Sequence, residues 1–307
     1  MELTRYQFEL LAYLEKNGAK EYTLREISDS INISGSQVGK DLDWAEKNQL
    51  IDKAGDHIIL TDAGLNALEP YRVKRAVILA AGFGSRMVPV TLDMPKPLVK
   101  VNGVRIIDTV LDALVAVGIK DITLVRGYKK ECMDELLEKY PFITLVDNDI
   151  YDKTNNISST LAVVDKLDEC YICEADLMVS NPDIIRKYQY ATNYLGSYSL
   201  ESNDWNFELE NGRAVNYKKG GKYCFNAYGI SYWNKKDSAK LRADLKKCWD
   251  MPDGHDIFWE FVPLHVLKDE YNVEIRQCQK SDIIEIDNFY ELVLLDPSYD
   301  GYQAKEQ

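Results

Sequence analysis

The stretch Val77-Ile78-Leu79-Ala80-Ala81-Gly82-Phe83-Gly84-Ser85-Arg86 constrains this chain more than any other. Ile78 and Leu79 belong to an apolar run that ends in a turn signal, which reads as a buried strand entering a glycine-rich turn. Gly82 and Gly84 let the backbone approach a ligand closely and leave amide N–H groups to point at phosphate oxygens. Arg86 adds a fixed positive charge. Pro95-Lys96-Pro97-Leu98 follows, its lysine held between two prolines that restrict the local backbone. Amides, an arginine and a lysine together suit a triphosphate. The turn is not a P-loop, since no Gly-Lys-Ser/Thr follows, and it is not a GxGxxG fingerprint.

A length of 307 residues allows two domains, and a hydrophobic content of 46% suffices for ordinary cores. No apolar run reaches the roughly 18 residues of a membrane span, and the first residues lack the apolar stretch of a signal peptide. The expected location is the cytoplasm. The scattered cysteines, Cys132, Cys170, Cys173, Cys224, Cys248 and Cys278, are then expected to stay reduced. Cys170-x-x-Cys173 has zinc-ligand spacing, but no second pair follows and the run is apolar, so a core strand is expected. A net charge of −13 argues against broad binding to nucleic acid or anionic membrane.

Residues 1–70 read as a small α+β domain. Leu3, Tyr6, Leu10, Leu11 and Leu14 share a helical face that ends at Gly18. Thr23-x-x-Glu26 is a capping box opening a second helix, and Ser34 caps a third that carries Val38, Leu42 and Ala45 inward. Ile51 and Ile58-Ile59-Leu60 flank Ala54-Gly55-Asp56 as a two-stranded wing. With Leu60-Thr61-Asp62-Ala63-Gly64-Leu65 behind it, this order resembles a winged helix-turn-helix domain. That resemblance implies DNA binding through the third helix. The charge does not favour it: seven Lys/Arg stand against thirteen Asp/Glu, a net of −6, and phosphate neutralisation supplies most non-specific affinity. A docking or dimerising module is the favoured expectation, with a homo-oligomer one possible consequence.

From residue 71 to 307 the pattern alternates strand and helix. Strands are expected at Val73–Ala80, Asp121–Arg126, 143–147 and Tyr171–Ala175. Helices are expected at Ile106–Val117 and Lys129–Tyr140. Such βαβαβ order gives a parallel sheet with right-handed crossovers and ligands at the carboxyl ends of its strands. Glu210-Asn211-Gly212-Arg213 marks a hairpin in an aromatic region. Strand, Ala-Ala-Gly-x-Gly-Ser-Arg and Pro-Lys-Pro-Leu together resemble the signature of nucleotidyltransferases that activate small phosphorylated compounds with NTP. Asn155-Asn156, Glu174-Ala175-Asp176 and Glu285-Ile286-Asp287 narrow the resemblance to bacterial CTP:phosphocholine cytidylyltransferases, over about residues 71–295. The implied fold is α/β: a doubly wound, mostly parallel, Rossmann-like nucleotidyltransferase domain preceded by the winged-helix α+β domain.

The resemblance also implies roles. Ala81, Gly82, Gly84, Ser85, Arg86, Lys96, Asn156 and Ser159 would contact the nucleotide, with Arg86, Lys96 and Asp176 catalytic. Asp176 stands at the end of its strand, where a carboxylate suits Mg²⁺. Glu285 and Asp287, spaced by two, would share one face of a strand and complete the Mg²⁺ ligand set with Asp176. Trp205, Asp256 and Trp259 match the positions of the family's choline site, where ring faces hold a quaternary ammonium. Glu260 stands where the family has aspartate, and Phe258 replaces a tyrosine.

None of the three histidines, His57, His255 and His265, has a Ser or Cys partner suggesting covalent catalysis. An ionised phosphate is its own nucleophile, so catalysis should rest on positioning and charge neutralisation. The leading expectation is transfer of CMP from CTP to phosphocholine, giving CDP-choline and pyrophosphate. Alternatives are 2-aminoethylphosphonate or phosphoethanolamine as acceptor, then a sugar 1-phosphate. A ligand-sensing transcription regulator is the reading from a different class.

Overall fold

The computed structural model describes residues 1–304. The chain divides into two units: Met1–Arg72 with Tyr188–Tyr190, and Val73–Lys187 with the chain from Ala191 on. No helix among the described residues is long and apolar enough to cross a membrane.

In the first unit the elements run α1 (Arg5–Asn17), β1 (Lys20–Glu21), α2 (Leu24–Ile31), α3 (Gly35–Lys47), β2 (Ile51–Ala54), β3 (His57–Leu60) and α4 (Asp62–Leu68). Thr4, Thr23, Ser34 and Thr61 cap the four helices with their side-chain oxygens. A reciprocal capping box forms at Thr4 and Gln7. At α2 the Glu26 carboxylate instead accepts from Lys20 Nζ at 2.8 Å. Gly55, at φ 66°, turns β2 into β3, and β3 also pairs with β1. Leu10, Leu11, Leu14, Ile27, Val38, Leu42, Ala45 and Ile58 form the core. Tyr6, expected on the inward face, is 49% exposed.

The second unit is built on a seven-stranded sheet. It holds β4 (Arg75–Ala80), the small pair β5 (Lys100–Val101) and β6 (Val104–Arg105), α5 (Ile106–Ala116), β7 (Asp121–Arg126), α6 (Leu136–Lys139), β8 (Thr144–Asp147) and α7 (Ile157–Ala162). There follow β9 (Cys170–Glu174), β10 (Leu177–Val179), β11 (Asn193–Glu210), β12 (Arg213–Trp233), α8 (Lys235–Trp249), β13 (Glu274–Gln277), β14 (Ile283–Glu285) and α9 (Phe289–Leu295). The sheet order is β11-β13-β12-β9-β4-β7-β8. Strands β9, β4, β7 and β8 are parallel, while β12 runs antiparallel to β9. The sheet is therefore mixed but mostly parallel, as expected: of its seven strands β12 runs against the other six. The Asn-Gly hairpin is the reason: Asn211 and Gly212, at φ 51° and 81°, return the chain as β12 without a crossover helix.

Period-2 alternation sorts the strands onto two cores. Ala76, Ile78 and Cys173 face one side with Ile107, Val110, Leu111 and Leu114 of α5. Val77, Leu79 and Cys170 face the other with Leu241 and Leu245 of α8. Cys170 and Cys173 are thus core residues on opposite faces, and burial pushes the Cys170 thiol up to about 12. The helix expected at 129–140 is instead a 3-10 turn over Lys130–Glu135 followed by the short α6. Arg126 Nη1 donates to the Lys130 carbonyl at 3.1 Å, which occupies an acceptor a regular α-helix would use. In the spatial order β8-β7-β4-β9 the connections from β4 progress to β7 and β8 on one side, and β9 is added on the other. The carboxyl ends of β4 and β9 therefore flank the crevice where such sheets bind ligands.

Candidate active site

The turn after β4 and the residues after β9 meet at this crevice. Gly84 has φ 66°, and a Cβ built on it would lie 3.0 Å from Lys96 Cβ and 3.2 Å from Thr91 Cγ2. Glycine here does two things: it supplies the left-handed turn and admits the Lys96 stem. Lys96, in a 3-10 turn over Lys96–Leu98, is 7% exposed and its Nζ lies 2.9 Å from Asp176 Oδ2. The other Asp176 oxygen is buried and has no hydrogen-bond partner among the described residues. Gly82, Phe83, Ser85 and Arg86 are exposed around this pair, while Ala81 is buried and its carbonyl accepts from Tyr128 N–H at 3.1 Å.

Arg86 makes a two-pronged contact with Asp287, both N–O distances 2.9 Å. Asp287 does not lie on the expected strand. β14 ends at Glu285, because Asn288 caps α9 and bends the chain away. Glu285 and Asp287 nevertheless converge, joined by Asp204 of β11. One carboxylate oxygen of each lies within 4.8 Å of the others. Asp204 was not foreseen, since it reaches the site through an irregularity in the β11–β12 register between Ser202 and Trp205. Burial and the charges of Asp176, Asp287 and Asp204 push the Glu285 carboxyl up to about 8, against a lowering by Lys96. Crowded hard oxygens of this kind, with an unpartnered Asp176 oxygen beside them, fit a divalent cation such as Mg²⁺.

A second acid pair lies deeper. Glu260 is 1% exposed, and burial pushes its carboxyl up to about 7 despite the amide of Asn156, whose Nδ2 donates to Oε2 at 3.3 Å. Glu174, the last residue of β9, is raised well above the usual carboxylate range by burial, then by the charges of Glu260, Asp176 and Glu285. Gly229 makes room for it: a Cβ there would lie 2.5 Å from Glu174 Cγ. The signal for Glu174 was present in the sequence, as an acid closing the apolar run Tyr171-Ile172-Cys173.

Other expected site residues are engaged with neighbouring protein groups. Trp259 does not offer a ring face beside Trp205. It is 1% exposed and edge-on to Trp233 at 5.8 Å. Trp205 is partly buried, stacked on Tyr217 at 5.0 Å with Phe258 and Phe261 edge-on. Ser159, expected to contact the nucleotide, is 4% exposed, and its Oγ accepts from Asn148 Nδ2 at 3.0 Å. Asn156 spends its side chain on residues 259 and 260. Asp256 is exposed, and its backbone carbonyl accepts from Asn155 Nδ2 at 3.0 Å.

Residues 76–194 match a family model described as a MobA-like NTP transferase domain. The chain is 37% identical to a 2-aminoethylphosphonate cytidylyltransferase of Lancefieldella rimae, over 73% of this chain and 92% of that protein. It is 30% identical to a choline-phosphate cytidylyltransferase of Streptococcus pneumoniae, over 70% and 93%. The solved structure of the S. pneumoniae CTP:phosphocholine cytidylyltransferase matches with a TM-score of 0.68 at 30% identity, over 74% of this chain and 99% of that one. An inositol-1-phosphate CTP transferase from T. maritima, at 17% identity and a TM-score of 0.58 over 76% and 99%, shares the fold.

Proposed function

The chain belongs to the cytidylyltransferases of the NTP transferase family, and from this we propose that it transfers CMP from CTP to a small amine-bearing phosphonate or phosphate, with 2-aminoethylphosphonate the first candidate. The carrying observation is the buried Glu260 carboxylate, which stands in the chain between Phe258 and Phe261, two rings that pack edge-on against Trp205. A primary ammonium donates N–H hydrogen bonds, so it is matched by carboxylates. A trimethylammonium cannot donate and needs ring faces. Trp259 lies in the core and Tyr217 covers one face of Trp205, which leaves the carboxylates as the stronger feature. Phosphocholine is the second reading, favoured by the remaining aromatic surface of Trp205, Phe258 and Phe261.

In the proposed reaction an ionised acceptor oxygen attacks the α-phosphorus of CTP. The bond from that phosphorus to the oxygen bridging the β-phosphate breaks, and pyrophosphate leaves with the electron pair. No proton need be removed by the protein. Lys96 is fixed by its buried pairing and offers its charge without rearrangement. Arg86, 63% exposed, can exchange Asp287 for a phosphate without leaving a buried charge. Mg²⁺ held by Asp176, Glu285 and Asp287, with Asp204 added, would supply neutralisation between the two approaching anions. Ala81, Gly82, Gly84 and Ser85 would shape the triphosphate side.

Pyrophosphate release tests this with four NTPs against 2-aminoethylphosphonate, phosphoethanolamine, phosphocholine and glucose 1-phosphate. CTP with 2-aminoethylphosphonate should give the highest kcat/KM. A preference for glucose 1-phosphate, or silence with every amine compound, would sink the proposal.

For the first unit we propose a winged helix used for docking or dimerisation. The order α1-β1-α2-α3-β2-β3 supports the architecture, and the acidic balance of residues 1–70 supports the use. Retardation of duplex DNA by the full chain in a low-salt gel at micromolar protein would overturn this docking role.

A further inference from the structure

We propose that Asn156 is a positioning residue for the amine end of the acceptor, acting through Glu260, and is not a nucleotide contact. The inference rests on the reading of Glu260 as the ammonium partner. Asn156 uses both ends of its amide on one neighbouring segment. Its Oδ1 accepts from Trp259 N–H at 2.8 Å, and its Nδ2 donates to Glu260 Oε2 at 3.3 Å. A carboxamide accepts from the backbone N–H through its oxygen and donates to the carboxylate through its nitrogen, two roles on two separate atoms. An aspartate there would lose the donor and set a like charge against Glu260. A leucine would lose both bonds.

The clasp is itself anchored. Asn155 N–H donates to the His255 carbonyl at 2.8 Å, and Asn155 Nδ2 to the Asp256 carbonyl at 3.0 Å. Ser158 Oγ donates to the Asn155 carbonyl, and Asn148 Nδ2 donates to both Ser158 and Ser159. Asn148 in turn holds the end of β7 through its N–H to the Arg126 carbonyl at 2.8 Å. A continuous hydrogen-bonded path thus runs from the central sheet to the Glu260 carboxylate. Glu260 is 1% exposed on an irregular segment, where its direction is set by such contacts and not by a regular backbone. The Asn156 bond, together with the contacts of Glu174 and Trp259, holds its long side chain in one rotamer. Both asparagines of the pair are explained by this stitching, and neither needs a phosphate or base to satisfy it.

The test is steady-state kinetics of Asn156→Asp and Asn156→Leu in the full chain. One substrate is varied while the other is saturating. Loss of a hydrogen bond to a charged group predicts a KM for 2-aminoethylphosphonate raised about ten- to a hundredfold, with the KM for CTP within about twofold. The preference for 2-aminoethylphosphonate over phosphocholine should fall, and Glu260→Gln should reproduce that fall with Asn156 intact. A raised KM for CTP with the amine KM unchanged would return Asn156 to the nucleotide and overturn the proposal. So would a fall in kcat alone. If Asn156→Leu unfolds, Asn156→Asp, which keeps the acceptor for Trp259 N–H, and Glu260→Gln carry the comparison. Wild-type substrate preference judges the function separately: inactivity there refutes the reaction, whereas an active wild type with an unmoved KM split refutes only the role of Asn156.

Discussion

Asp176→Asn should lower turnover by about a hundred- to a thousandfold, the scale of one preorganised charge contact, while CTP binding without divalent cation changes little. The substitution keeps the size of the side chain, so Lys96 retains an acceptor within reach. What disappears is the negative charge, including that of the buried oxygen with no partner among the described residues. A second readout follows from Glu285. Its carboxyl is raised to about 8 by burial and by the neighbouring acids, Asp176 first among them. Glu285 must ionise to hold a cation, so activity at low Mg²⁺ should rise with pH through that range. Removing the Asp176 charge lowers the Glu285 carboxyl, and the rising limb of the residual activity should move to lower pH. Wild-type turnover in this variant would take Asp176 out of the site.

Lys96→Met should reduce kcat/KM by about a hundred- to a thousandfold. Methionine preserves the stem that lies against Gly84 and deletes the ammonium. Arg86→Ala should cost less, about tenfold, because the Arg86 side chain is 63% exposed where that of Lys96 is 9% exposed, and solvent screening weakens the exposed charge. Loss of the lysine also leaves Asp176 without its cation, which destabilises the fold. The double variant Lys96→Met with Asp176→Asn separates the two effects. It should recover thermal stability relative to the single change and recover no activity. Recovery of both, or near-wild-type kcat/KM in Lys96→Met, would refute a catalytic role for the lysine.

Much of the architecture was legible because its causes are local. The apolar run into Gly82 and Gly84 marks β4 and its turn. The Ile107, Val110, Leu111 and Leu114 spacing marks α5, and Asn211-Gly212 marks the hairpin. Each depends on a handful of adjacent residues and on backbone preferences they carry with them. The same logic failed at 129–140, where a helical pattern was overruled by the Arg126 side chain arriving from β7. It failed again at Asp287, where capping of the following helix ended the strand early.

The site divides along the same line. Arg86, Lys96, Asp176, Glu285 and Asp287 stand out from sequence alone, because motifs put charged residues beside turns and strand ends. Their pairing, Lys96 with Asp176 and Arg86 with Asp287, joins residues distant in the chain, and no local rule encodes it. Asp204 enters only through a register irregularity in a long hairpin. The partnership of Glu174 with Glu260 exists only where β9 and the segment before the Val262–Val266 turn are brought together. Burial decided the rest: Trp259, which sequence context offered as a ligand surface, is a core residue because the sheet face beneath it carries Trp233. Sequence determines which groups a chain owns and which short elements they ride on. How strongly each acid holds its proton and which ring keeps a face open depend on what the folded chain excludes from water, and that is a property of the tertiary structure.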